Sequence, residues 1–78
     1  MPDRPLKLHD LCKILRRYGV WEEEGKKHKQ LLRYVNGTVF FYPIPRHGNE
    51  VKRPYVAGLR KRLCLTEADG VLDEDFYG

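Results

Sequence analysis

Few side chains in this sequence can carry a proton or a nucleophile, and their types narrow the chemistry at once. The chain holds three histidines, His9, His28 and His47, two cysteines, Cys12 and Cys64, and no serine. Without serine there is no Ser-His-Asp hydrolase. Glu22, Glu23 and Glu24 are consecutive, so on a strand they alternate faces and do not converge as an acid–base pair. Zinc sites take about four ligands at close spacing, which two distant cysteines do not supply; neither a metal nor a cofactor is expected. No glycine-rich phosphate loop is present. Cys12 and Cys64 fall at apolar positions of helix-like stretches and read as packed, unreactive thiols.

His28 stands apart. It follows Gly25-Lys26-Lys27 and precedes Lys29, which puts a histidine at a strand start among cations that attract a phosphate. An imidazole there can take the proton of a ribose 2′-hydroxyl or give one to a leaving 5′-oxygen. Such chemistry acts on RNA and not on DNA, because only RNA carries the internal nucleophile. His47 follows Arg46 in a loop-like stretch and can help hold a phosphate, whereas His9 lies among Lys and Leu residues and reads as surface. The phosphate contacts read from the sequence are therefore Lys26, Lys27, Lys29 and Arg46, with His47 beside them.

The charge distribution points the same way. The formal net charge is +4, yet Glu67, Asp69, Asp73, Glu74 and Asp75 all fall in the last thirteen residues, which contain no Lys or Arg. Residues 1–65 then carry 15 basic and 6 acidic groups, a net of +9. A body that basic suits a polyanion such as nucleic acid. The acidic segment either folds back or competes with a phosphate ligand.

Seventy-eight residues with 41% apolar and 33% charged content make one domain, 1–78, with its core over about 6–65 and an acidic C-terminal segment, 66–78. No apolar run approaches the roughly 20 residues of a membrane span, and Met1-Pro2-Asp3-Arg4-Pro5 is not the start of a signal peptide. A cytoplasmic protein with no membrane partner is expected, with its thiols free.

The elements that must position these residues follow from periodicity. Leu8, Leu11, Cys12, Ile14, Leu15 and Tyr18 recur at helical spacing and predict a helix from about Leu8 to Tyr18, with a poor N-cap and Gly19 as its left-handed stop. Val20–Glu24, His28–Tyr34 and Thr38–Ile44 read as strands, the last two joined by a hairpin at Asn36-Gly37. Pro43 and Pro45 require the third strand to fray or to lie at an edge. Residues 46–50 read as a loop. A second helix starts near Pro54, with Tyr55, Val56, Leu59 and Leu63 on its apolar face and Arg60, Lys61 and Arg62 on the rest. Thr66 and Asp73 are candidate caps of two short turns. The order α-β-β-β-α makes an α+β fold, a three-stranded antiparallel sheet with both helices on one face. Val39-Phe40-Phe41-Tyr42 is apolar on both parities, so the other face carries an aromatic patch or is covered by a partner, a second copy of the chain included.

Four segments, taken in order, resemble one family. They are His9-Asp10-Leu11-Cys12-Lys13-Ile14-Leu15-Arg16-Arg17-Tyr18-Gly19-Val20, Gly25-Lys26-Lys27-His28, Tyr42-Pro43-Ile44-Pro45-Arg46-His47, and Gly58-Leu59-Arg60-Lys61-Arg62-Leu63 with Leu65-Thr66-Glu67-Ala68-Asp69-Gly70. From about Leu6 to Tyr77 the chain resembles HicA-type toxins, the messenger-RNA interferases of type II toxin–antitoxin pairs. The resemblance implies a double-stranded-RNA-binding-like fold and metal-independent cleavage of mRNA by the histidine that aligns with His28. It also implies a HicB-type antitoxin as partner. Two lysines stand before His28 where many members have Ser or Gly, and the second helix begins Lys52-Arg53-Pro54-Tyr55 where Gly-Thr is common. The competing expectation is a non-catalytic RNA-binding module of the same fold, in which His28 is one more polar contact.

Overall fold

The computed structural model describes residues 3–25, 27–45 and 49–78. In chain order the elements are β1 (Leu6–Lys7), α1 (Leu8–Arg16), β2 (Trp21–Glu24), β3 (His28–Val35), β4 (Thr38–Pro45), β5 (Glu50–Val51), α2 (Arg53–Arg62), a 3-10 turn (Glu67–Asp69) and α3 (Asp73–Tyr77). β2, β3 and β4 form an antiparallel sheet with β3 in the centre, as expected, and β1 pairs with β5 in a small second sheet that the sequence did not reveal. That second sheet accounts for the missing helix cap. Lys7 makes no side-chain cap to α1; instead the Leu8 N–H donates to the Asn49 carbonyl at 2.8 Å, next to the Lys7–Glu50 pairing. The stretch read as a loop over 46–50 thus contributes Glu50 to a strand.

The β3–β4 register follows from its turn. Asn36 and Gly37 take φ values of +49° and +85°, the signature of a two-residue hairpin, and Val35 pairs with Thr38. Alternation then directs the backbone groups of Thr38, Phe40, Tyr42 and Ile44 toward β3 and those of Val39, Phe41, Pro43 and Pro45 outward. Both prolines sit at an edge where no ladder bond is lost, so β4 runs unbroken to Pro45. The same parity sends Leu31, Tyr42 and Ile44 under the helices and leaves Leu32, half-buried, on the other face.

The core lies between the sheet and both helices, built from Leu11, Leu15, Leu31, Ile44, Val56, Leu59, Leu63, Leu65 and Phe76, each at most 2% exposed. Two readings of α2 are corrected. Tyr55, assigned to its apolar face, is exposed. Arg60, assigned to its solvated face, is buried at 3% exposure. Its Nε donates to the Leu65 carbonyl at 2.9 Å, Nη1 to Asp3 and Asp73 at 2.7 Å each, and Nη2 to the Val71 carbonyl at 3.1 Å. Its guanidinium also stacks 4.5 Å from the centre of the Phe76 ring. Burial opposes the charge, but the bonds to Asp73 and Asp3 outweigh it and raise the pKa further. The acidic segment therefore folds back. Asp73, expected as a cap, is the first residue of α3 and bonds Arg60. Thr66 does start its short turn, its N–H and hydroxyl both donating to Asp69 at 3.1 and 2.7 Å.

Both helices end alike. After α1, Gly19 at φ +76° lets the Val20 N–H reach the Leu15 carbonyl at 3.1 Å. After α2, Leu65 N–H reaches the Arg60 carbonyl at 2.7 Å, and the left-handed position, φ +61°, is held by Cys64. Cys64 is therefore past the helix and only half-buried, which corrects its reading as a buried helical thiol; Cys12 is buried as expected. Arg33, from the centre of β3, ties both ends to the sheet by donating to the carbonyls of Tyr18, Leu63 and Cys64 at 3.1, 2.9 and 2.9 Å. A cation there also complements the helix dipoles.

Two stability changes follow. Arg60→Ala leaves two carboxylates without their cation and should cost about 3–5 kcal/mol, readable as a lowered denaturation midpoint. Cys64→Gly should gain roughly 0.5–1 kcal/mol, the left-handed penalty less the entropy that glycine loses. Gly19→Ala should move the same urea midpoint the other way; a lowered midpoint for Cys64→Gly would contradict this account of the helix end.

Candidate functional site

His28 begins β3, exposed, and faces away from the helices, opposite Pro45 in the β3–β4 register. What holds it there is the end of the β2–β3 hairpin, where the Gly25 N–H donates to the His28 carbonyl at 2.9 Å. A Cβ at position 25 would stand 2.7 Å from that carbonyl oxygen, so only glycine permits the approach. Lys27, immediately before His28, is exposed. Lys26, Arg46 and His47 lie outside the described residues. His9 is exposed on α1. Among the described residues no three His, Cys, Asp or Glu side chains gather as metal ligands would, and no helix is long and apolar enough to cross a membrane.

Lys29 is not brought to His28. Neighbours on a strand point to opposite faces, and Lys29 turns under the helices, where its ammonium lies 2.9 Å from Glu22 and 3.8 Å from Glu24. The period-two rule already contained this separation. Glu22 also accepts a hydrogen bond from the Cys12 thiol. The three groups adjust to each other. The Lys29 hydrogen bond holds the Glu22 carboxyl below its usual range, and Glu22 raises Lys29 in turn. Burial, and then the bond to Glu22, push the Cys12 thiol up to about 11, so it stays protonated and unreactive at neutral pH.

The open face of the sheet is the feature that sequence reasoning saw only in part. Cross-strand pairing lines up Trp21, Leu32 and Phe41 in one row and Tyr34 with Val39 in the next. Trp21 is 40% exposed, Val39 47%, Phe41 48% and Tyr34 64%. Glu23, Gln30 and Pro43 form the row between these aromatics and His28. The Trp21 indole N–H donates to Glu23 at 3.3 Å, and the buried Gln30 Oε1 has no donor among the described residues. The apolar run at 39–42 signalled the patch, but Trp21 and Tyr34 join it only through the register that the Asn36-Gly37 turn sets. At the rim, Arg62 donates to the Phe41 carbonyl at 3.3 Å and lies 5.6 Å from the centre of its ring.

No protein-family model, curated protein or solved structure matches the chain. A functional reading therefore rests on the geometry and on the sequence features described above. The geometry offers an exposed imidazole beside a lysine at one end of a sheet face, with aromatic side chains at the other.

The polar cluster under the sheet has a pH signature. A carboxyl depressed in the folded state contributes stability above its usual value, near 4.5 for Glu22, and that contribution is lost as pH falls through the folded value. Glu22→Gln should therefore show a shallower loss of stability with acid than the parent chain, measured as the urea midpoint from neutral pH downward. Equal slopes would mean that the pair does not form in solution.

Proposed function

We propose that this chain is a metal-independent endoribonuclease of the HicA-type toxin kind, with the double-stranded-RNA-binding-like arrangement that the resemblance implies. The observation that carries the reading is the placement of His28, exposed at a lysine-bearing hairpin end within an α1-β2-β3-β4-α2 order. Its imidazole performs one of the two proton transfers of RNA cleavage. As base it takes the 2′-hydroxyl proton while that oxygen attacks phosphorus; as acid it protonates the departing 5′-oxygen. The products are a 2′,3′-cyclic phosphate and a free 5′-hydroxyl. Lys27, exposed and next to His28 in the chain, is the described cation that would offset charge on the phosphate as it builds. By the sequence reading, Lys26, Arg46 and His47 share that task. A HicB-type antitoxin is the partner that would cover such a site.

One observation favours a second reading, a non-catalytic RNA-binding module. Lys29, one of the expected phosphate contacts, is committed to Glu22 on the opposite face, which leaves Lys27 as the described cation from that set beside His28. A long RNA incubated with the protein in excess EDTA separates the two. Cleavage by the parent chain that drops at least about 100-fold in His28→Ala, the scale of general acid–base catalysis, supports the enzyme. Equal cleavage by both chains removes His28 from the chemistry. Salt-sensitive RNA binding without cleavage by either selects the passive module.

A further inference from the structure

The apolar sheet face is an exposed feature that neither catalysis nor folding uses. We infer that this face is a stacking platform for unpaired bases, so that the substrate is single-stranded RNA laid along β3 from Tyr34 toward His28. The inference rests on the reading of the His28 end as an RNA site and extends it to the class of RNA accepted.

Three observations select this occupant. The exposed groups on the face include three aromatics, Trp21, Tyr34 and Phe41, one from each strand of the sheet. Any base can stack on such rings whatever its sequence. The platform is continuous with His28, since His28, Gln30, Leu32 and Tyr34 share one parity of the central strand. At about 3.4 Å per residue the path from His28 to Tyr34 is about 20 Å, room for several nucleotides. The charge at its borders is suitable. Arg62 stands over the rim at Phe41 and Lys27 beside His28, while Glu23, the acidic residue in the middle row, already accepts the Trp21 N–H. Gln30 places an amide side chain in the row between the aromatics and the histidine. A base-paired duplex hides its base faces within its own stack, so this surface discriminates against it.

The test uses the sole tryptophan, Trp21, as its own reporter, in the full chain carrying His28→Ala so that RNA stays uncut. A single-stranded oligoadenylate should quench Trp21 fluorescence and bind more tightly than a duplex RNA of equal length or inorganic polyphosphate. Tyr34→Ala should weaken that binding about 5- to 100-fold, the range of one lost base stack, while Tyr34→Phe retains it. Tyr34 is exposed, so neither change threatens the fold. Equal affinity for duplex and single strand, or unchanged binding by Tyr34→Ala, overturns the platform. No RNA binding together with self-association that Tyr34→Ala abolishes also overturns it, and makes the face a protein interface. The two readings fail separately. Stacking without cleavage by the parent chain removes only the nuclease, and cleavage with no effect of Tyr34→Ala on binding removes only the platform.

Discussion

The fold depends on one buried charge. Arg60 projects from the last turn of α2 into the space between that helix, the N-terminal stretch and the C-terminal segment, and each of its nitrogen atoms has an acceptor there. Without it, an acidic segment of this composition would be held by little more than Phe76, its aromatic neighbours and Val71. With it, Asp73 and Asp3 become ligands of a single guanidinium, and the Tyr77 hydroxyl closes the group by donating to Asp3 at 2.7 Å. A small domain has stability on the order of 5–10 kcal/mol, so a charge that costs several kcal/mol to strip of its partners is a condition for the fold, not an ornament of its surface. The same contact decides the fate of the acidic segment. Its Asp73 carboxylate meets Arg60 and its backbone carbonyls at Asp75 and Phe76 accept from Arg17, so it is tied to both helices.

This use of cations inside the molecule changes what the basic composition means. Arg60 is buried, Arg33 spends its guanidinium on the carbonyls at the two helix ends, and Lys29 is held by Glu22. A count of Lys and Arg treats these as surface charge. In the fold they do work that a larger domain would assign to apolar packing. What remains for a polyanion is the exposed set, such as Lys27 at the hairpin end and Arg62 at the rim of the open face. Long-range attraction is still favoured by the net charge, but the specific contacts are fewer than composition suggests.

The elements governed by local rules were legible in the sequence. Helical spacing located α1 and α2, Asn36-Gly37 set the hairpin, and the two prolines required β4 to fray or to lie at an edge, of which the edge is found. What was not legible came from pairs distant in the chain. The β1–β5 pairing involves two residues from each end of the core, too short to show a period. The burial of Arg60 depends on Asp3, 57 positions away, and helical spacing alone placed that arginine toward solvent. Cys64 takes a left-handed conformation that the residue type does not advertise, since glycine usually occupies that place. At the candidate site the balance was similar. His28 was found by its neighbours in sequence, while the row of Trp21, Leu32 and Phe41 exists only once the strand register is fixed.

The way the sheet guards itself bears on what it receives. Its β4 edge turns two prolines outward and has Arg62 on the Phe41 carbonyl, and its β2 edge is four residues long with three glutamates. Short, charged or proline-bearing edges are how sheets refuse an added strand. The open face, by contrast, carries the exposed rings of Trp21, Tyr34 and Phe41. A protein that blocks its edges and leaves its face open suits an occupant that lies on that face and contacts side chains, not one that extends the backbone ladder. Stacked bases satisfy that geometry, and an extended peptide joining by strand addition does not. The constraint therefore bears on both proposals at once: RNA laid along the open face reaches His28 by way of the row that Glu23, Gln30 and Pro43 form.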